Sequence, residues 1–229
     1  TIALTSNVTS LHSGQTATVT FTLSEAATDF DINDIVVTGG TLSNFTGSGT
    51  SYTATFTPDA SSTADGTIRV DSSRFTDAAG NANTDGTDSN NALTFSIDTA
   101  IPVAPTLSLA TDSGSSNTDK LTNVGTLSLS GVETDAVVEY SINGIDWTSS
   151  FTPVEGTNTV YVRQTDLAGN VSAPSAAFTF VRDTAVPTVS IQNAPATHSG
   201  NAFTVTLEFN EDVTGFAVGD LSVSGASLS

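Results

Sequence analysis

Apolar and polar residues alternate one by one along most of this chain. Between Thr16 and Ser24, Ala17, Val19, Phe21 and Leu23 alternate with Thr18, Thr20 and Thr22. A period of two predicts a half-buried strand, because successive side chains leave a pleated backbone on opposite faces. Phe203, Val205, Leu207 and Phe209 follow the same rule, as do Tyr52, Ala54 and Phe56, then Val138, Tyr140 and Ile142, and then Val160 and Val162. Gly, Asn and Asp separate these runs, and no stretch shows a helical period. The pattern predicts an all-β protein of short strands packed as a β-sandwich. Asn143-Gly144 predicts a two-residue type I′ hairpin turn. Trp147, the single tryptophan, is expected in a sandwich core.

The chain also repeats itself. HSGQTATVTFTLSEAATDFDINDIVVTGGTLS, starting at His12, aligns without a gap with HSGNAFTVTLEFNEDVTGFAVGDLSVSGASLS, starting at His198. Glu25 matches Glu211, Phe30 matches Phe216, and Asp34 matches Asp220. TDAAGN at 76–81 echoes TDLAGN at 165–170, and DTAIP at 98–102 echoes DTAVP at 183–187. Self-similarity on this scale marks a tandem array. The units run 1–98, 99–183 and 184–229, the last matching the N-terminal half of the first. Half a sandwich exposes an apolar face and unpaired edges, so this segment is expected to be disordered, cut from a longer chain, or completed by strands of another molecule.

Composition narrows the chemistry. The 229 residues carry 24 Asp+Glu against 5 Lys+Arg, a formal charge of −19. Nucleic acid and anionic membrane are excluded as partners, because phosphate binding needs clustered cations. There is no Cys, so small domains must rely on their cores or on metal ions. With no Met either, Thr1 is not expected to be a natural start, and the chain is expected to be a segment of something longer. No apolar run approaches the ~18 residues of a membrane span.

HSGQTATVTFTLSEAATDF, DIVVTGGTLSNFTGSGTSYTATFTP and FTDAAGNAN resemble the bacterial Ig-like repeats of giant surface adhesins secreted by type I systems. EYSINGIDWTSSFTPVEGTNTVYVRQTDLAGNVS resembles a companion repeat type from the same proteins. The resemblance covers nearly the whole chain and implies tandem immunoglobulin-like β-sandwiches arranged as an extended rod. It also implies an extracellular location, a spacer role in adhesion and biofilm formation, and Ca²⁺ stiffening the junctions between repeats.

The residues themselves suggest where such an ion would sit. In an Ig-like sandwich the B–C and F–G loops lie at the pole where the chain enters. With TDLAGN as the F–G loop of the second unit, Asp166 faces the linker residue Asp98, and the B–C loop brings Glu133 and Asp135. Converging carboxylates repel one another unless a divalent ion screens them, and Ca²⁺ takes 6–8 oxygens. Asn170 adds an amide oxygen. Asp183 with Glu211 and Asp212 repeats the set at the second linker. Glu25 and Asp77, supported by Asn81, would serve a junction on the other side of the first unit. The competing reading is that Asp in D-x-A-G-N only closes an Asx turn, with Gly80 or Gly169 supplying positive φ. Pro102, Pro105 and Pro187 stiffen the linkers further.

Other constellations fall away. Asp29–Asp34 imitates the opening of an EF-hand loop, but Asp34 stands where a Gly is needed and Gly40 where a Glu is needed. It reads as a turn before a strand. NTDGTDSNN at 83–91 reads as a disordered solvated loop. His12 and His198, each followed by Ser-Gly, suit turns; neither has a nucleophile motif nearby, and H-E-x-x-H is absent. Asn7, Asn44 and Asn170 begin glycosylation sequons that follow from Thr and Ser richness. No enzyme is expected. The leading reading is a spacer whose partners are Ca²⁺ and neighbouring repeats, with no direct membrane contact. The alternative is a self-assembling or ligand-binding module that pairs by strand addition through the incomplete third repeat.

Overall fold

The computed structural model describes residues 1–194, 200, 202–225 and 227. Its regular elements, among these residues, are strands and three single-turn 3₁₀ helices. Two compact units divide the chain. One comprises Thr1–Leu107, Leu129–Phe151 and Val160–Ala177; the other comprises Ser108–Ser128, Thr152–Thr159 and Phe178–Ser229.

In the larger unit the first strands are β1 (Ile2–Ser6), β2 (Ser10–His12), β3 (Ala17–Leu23), β4 (Ile35–Thr38), β5 (Gly40–Ser48), β6 (Ser51–Pro58), β7 (Gly66–Val70) and β8 (Ala92–Asp98). They form two four-stranded sheets, ordered β1-β3-β6-β5 and β2-β8-β7-β4. The first segment of chain thus changes sheets: β1 pairs antiparallel with β3, and β2 pairs parallel with β8. Burial along β3 alternates as its sequence does, with Val19 and Phe21 at 0% exposure. Between the sheets lies one core, with an edge-to-face cluster of Phe21, Phe30, Phe45 and Phe75. Farther along, Phe56 stacks on Phe95 at 4.7 Å between centroids. An immunoglobulin-like β-sandwich is the result, as the alternation predicts.

Segment 83–91 departs from the expected solvated loop. Asn83, Asp85 and Asn91 are all buried. The Ile2 amide donates to Asp85 Oδ2 at 2.5 Å, and Asn91 Nδ2 donates to the Val70 carbonyl at 3.0 Å. Asn83 Oδ1 accepts from the Arg74 amide at 2.8 Å, while its Nδ2 donates to the Asp71 carbonyl at 3.0 Å. These polar groups satisfy backbone that would otherwise be orphaned beside the core, and so the segment is ordered.

Strands β9 (Thr106–Leu109), β10 (Leu121–Thr122), β11 (Leu127–Ser130), β12 (Val137–Ser141), β13 (Gly156–Thr165) and β14 (Phe178–Arg182) follow. In the larger unit, β12 pairs antiparallel with residues 161–165 of β13. Two expectations are corrected there. Asn143-Gly144 does not form a type I′ hairpin, because only Gly144 has positive φ and the flanking bridge joins Tyr140 to Thr148. Asn143 Oδ1 instead accepts from the Ile145 and Asp146 amides, both at 2.9 Å, and this side-chain turn outcompetes the tight hairpin. The strand therefore ends before Ile142, which is 70% exposed. Trp147 is only half-buried. The Arg163 guanidinium lies 4.3 Å from its ring centroid, and Arg163 also pairs with Glu139 at 2.8 Å.

In the smaller unit, β10 and β14 run parallel, with Phe180 at 1% exposure. Strands β15 (Val189–Gln192) and β16 (Thr206–Phe209) pair antiparallel. Val189 faces Phe209 and Ile191 faces Leu207, as Ile2 faces Leu23 and Leu4 faces Phe21 in the first repeat. The strand begins at Thr206, so Phe203 and Val205, expected within it, stand outside. His198 and Ser229 lie outside the described residues. Asp34 and Asp220 prove equivalent. Each accepts from the backbone amide three residues earlier, at 2.8 and 2.9 Å, and closes a 3₁₀ turn. The repeated acid caps a turn before β4, as read from the sequence in preference to an EF-hand.

Candidate functional site

The candidate site is the pole where the first sandwich hands the chain on. Strands β8 and β2 end side by side there, with Asp98 in register with His12. Asp98 Oδ1 accepts from the Ala100 amide at 3.1 Å, which bends the outgoing chain. Thr99 is buried; its Oγ1 donates to the Asp59 carbonyl at 2.6 Å and accepts from the Ser62 amide at 2.9 Å. A β-branched hydroxyl residue suits this place, since its stiff χ1 holds both bonds together. The linker's first residues are thereby sewn to the loop between β6 and β7.

The receiving side is built from two carboxamides. Asn170 is 2% exposed. Its Oδ1 accepts from the Ser13 amide at 2.7 Å, and its Nδ2 donates to the Asp98 carbonyl at 3.0 Å and to Asp166 Oδ2 at 2.7 Å. Asp166 Oδ1 takes the Gly169 and Asn170 amides, both at 2.8 Å. Burial pushes the Asp166 carboxyl upward, but the bonds from Asn170 and Gly169 outweigh it and hold the group below its ordinary value. Gly169 sits at φ +101°, a conformation a side chain would resist. Gln164 is 0% exposed. Its Nε2 donates to the carbonyls of Val103 at 2.6 Å and Gly131 at 3.0 Å, and its Oε1 accepts from the Glu133 amide at 2.8 Å. Residues 98–103 are therefore held at both ends.

The structure brings Asp98, Asp166 and Asn170 together. Asn170 Nδ2 lies between the two carboxylates, 3.5 Å from Asp98 Oδ1. The carboxylates of Glu133 and Asp135 are exposed, and no group of three Asp, Glu, His or Cys side chains gathers among the described residues. In kind, the two acids and the Asp98 carbonyl suit a hard cation. The Asn170 oxygen is already committed to Ser13.

At the second linker Asp183 Oδ1 accepts from the Ala185 amide at 3.0 Å, repeating the Asp98 turn. Asp212 is exposed; Glu211 is half-buried, and its Oε1 has no hydrogen-bond partner among the described residues. Glu155 holds this linker: its carboxylate accepts from the Thr184 amide at 3.0 Å and from Thr184 Oγ1 at 2.9 Å. Those bonds to Thr184 hold the Glu155 carboxyl below its ordinary value. A depressed folded pKa favours the folded arrangement above the ordinary carboxylate range and loses that benefit as pH falls through the lowered value. Titrated by NMR, the Thr184 amide shift is expected to move with a midpoint under that of an unperturbed Glu. In Glu155→Gln that titration disappears.

At the opposite pole, Glu25, Asp77 and Asn81 line a cleft of about 240 Å³ together with Thr1, Phe75 and Asn83. Asp77 lies below its ordinary value because the Asn81 side chain and backbone donate to it.

Sequence reasoning missed Ser13, Glu155 and Gln164. For Gln164 a signal existed: it continues the inward register of Val160 and Val162, where a polar residue needs buried partners. Ser13 stood in the repeated His-Ser-Gly, and Glu155 carried no mark.

Comparison with known proteins agrees with this architecture. The sequence model of a family described as bacterial Ig-like domain matches residues 1–94 and 183–229. None of the curated proteins compared matches the chain in sequence. Fibronectin(III)-like modules of Clostridium thermocellum CbhA match at 15% identity over 78% of this chain and 94% of theirs, with a TM-score of 0.32.

Proposed function

Because the chain belongs to the bacterial Ig-like domain family, we propose that it is a spacer, a run of repeats that extends a bacterial surface adhesin and performs no catalysis. The observation that carries this reading is the treatment of residues 98–103, tied to Asp59 and Ser62 on one side and to Asn170 and Gln164 on the other. A swinging tether has no need of such bonds, since water satisfies its backbone. A part that must hold something at a distance does need them. The acidic surface suits an extracellular location, because it keeps neighbouring chains apart. No helix among the described residues is long and apolar enough to cross a membrane.

Calcium belongs to this proposal. Asp98 and Asp166, with the Asp98 carbonyl, are the groups that would hold it at the first linker. Asp183 with Glu211 and Asp212 would do so at the second, and the carboxylates of Glu25 and Asp77 at the far pole. The ion would supply charge neutralisation and a bridge of several oxygens. Melting in a calcium titration tests this role. With a Kd in the ~10⁻⁴–10⁻³ M range of extracellular modules, stability is expected to rise by about 1.4–2.7 kcal/mol at ~10 mM calcium, following RT ln(1 + [L]/Kd). The share of the rise owed to the first linker should be lost in Asp98→Asn/Asp166→Asn. A melting temperature indifferent to calcium removes the ion and leaves the tied linker.

A further inference from the structure

The two Asp-x-Ala-Gly-Asn turns share their internal hydrogen bonds and differ in what covers them. In the first, Asp77 Oδ1 accepts from the Ala79 and Asn81 amides, both at 2.8 Å, and Asn81 Nδ2 donates to Asp77 Oδ2 at 2.8 Å. In the second, Asp166 and Asn170 make the equivalent bonds at 2.8 and 2.7 Å. Asn81 is nevertheless exposed, whereas Asn170 is 2% exposed. The difference is the Ser13 amide and the Asp98 carbonyl, which occupy the oxygen and the second N–H of Asn170. Among the described residues, Asn81 Oδ1 takes no hydrogen bond.

We propose that the Asp77–Asn81 turn is a docking face for the linker of another repeat. It would bind that linker as Asn170 binds Ser13 and Asp98. Asn81 Oδ1 accepts a backbone N–H from the turn that follows the partner's parallel edge strand. Asn81 Nδ2 donates its second N–H to the carbonyl of the Asp that opens the partner's Asp-Thr-Ala-x-Pro linker. The proposal rests on the spacer reading and adds its recognition element.

Strand register identifies the occupant. Val189 faces Phe209 as Ile2 faces Leu23, so Thr1 holds the position of Thr188, the residue directly after the linker 183–187. A linker of that kind, placed ahead of Thr1, would reach the cleft of about 240 Å³ that Thr1 lines beside Asn81. The walls of that cleft carry the carboxylates of Glu25 and Asp77, acceptors suited to the amides of a passing backbone. A carboxamide offers one acceptor and two donor hydrogens, and so matches a peptide's carbonyl and N–H together.

The test places a second copy of residues 99–187 ahead of Thr1 in the full chain. Exchange of the Asn81 side-chain amide is followed by NMR, with ¹⁵N relaxation of the added linker. Exchange is expected to slow roughly tenfold relative to the unextended chain, as a new hydrogen bond requires. Asn81→Ala should free the added linker, and Asn81→Asp, which keeps the acceptor and loses the donor, should free it in part. Unchanged Asn81 exchange with an indifferent Asn81→Ala overturns the proposal, provided Asn170→Ala loosens residues 98–103. If Asn170→Ala leaves 98–103 as ordered as before, the tied-linker premise fails and the proposal falls with it.

Discussion

Phe56→Ala is expected to cost the first sandwich about 3–5 kcal/mol, the usual loss for emptying a buried phenylalanine site. Phe56 is 0% exposed and stacks on Phe95 with an interplanar angle of 21°. Two glycines make room for it: a Cβ at Gly66 would come 3.0 Å from the Phe56 ring, and one at Gly40 would come 2.6 Å from it. Walls formed by backbone so close to the ring cannot collapse into the space it leaves, so the cavity term is expected in full. A single domain has only about 5–15 kcal/mol in total, and this chain has no cysteine to fall back on. Denaturant unfolding followed by circular dichroism should show an early transition at sharply lower denaturant. A midpoint unchanged from the parent would mean that Phe56 is not a keystone of that core.

Gln164→Leu is the second large effect. Leucine nearly keeps the volume but strips partners from the Val103 and Gly131 carbonyls and the Glu133 amide. Each polar group left unpaired away from water costs about 1–3 kcal/mol, and partial exposure of these groups lowers the sum to roughly 3 kcal/mol. The distinguishing readout is local. Hydrogen exchange of the Glu133 amide should accelerate by more than the global loss explains, because its acceptor is gone. Equal acceleration everywhere would assign Gln164 to packing alone.

The parts of this molecule legible in its sequence are those written in side-chain alternation and self-similarity. Ala17–Leu23 is a strand because every second residue is apolar, and that one fact fixes which face is buried. The repeated acids Asp34 and Asp220 were readable as turn residues because one repeat lacks the neighbouring acids that an EF-hand would need. Less legible were features decided by side chains reaching for backbone. Asn143-Gly144 predicts a tight hairpin only while the Asn side chain stays out of the turn, and here it takes two backbone amides. Asp85 and Asn91 look like solvated acid and amide, yet each satisfies buried backbone of a distant strand. At the pole, Asp98, Asp166 and Asn170 meet as the D-x-A-G-N and D-T-A echoes suggest. The sequence alone did not disclose that Asn170 uses both ends of its amide, because its Ser13 partner is a backbone group and any residue supplies one.

Residues 98–103, tied at both ends, are an ordered part of the fold. Backbone ¹⁵N relaxation across this segment, in the intact chain with chelator present, tests that order most directly. Order parameters near ~0.85, matching β8 and β13, are the predicted result. Values below about 0.6 across the segment, with the flanking strands rigid, would contradict it.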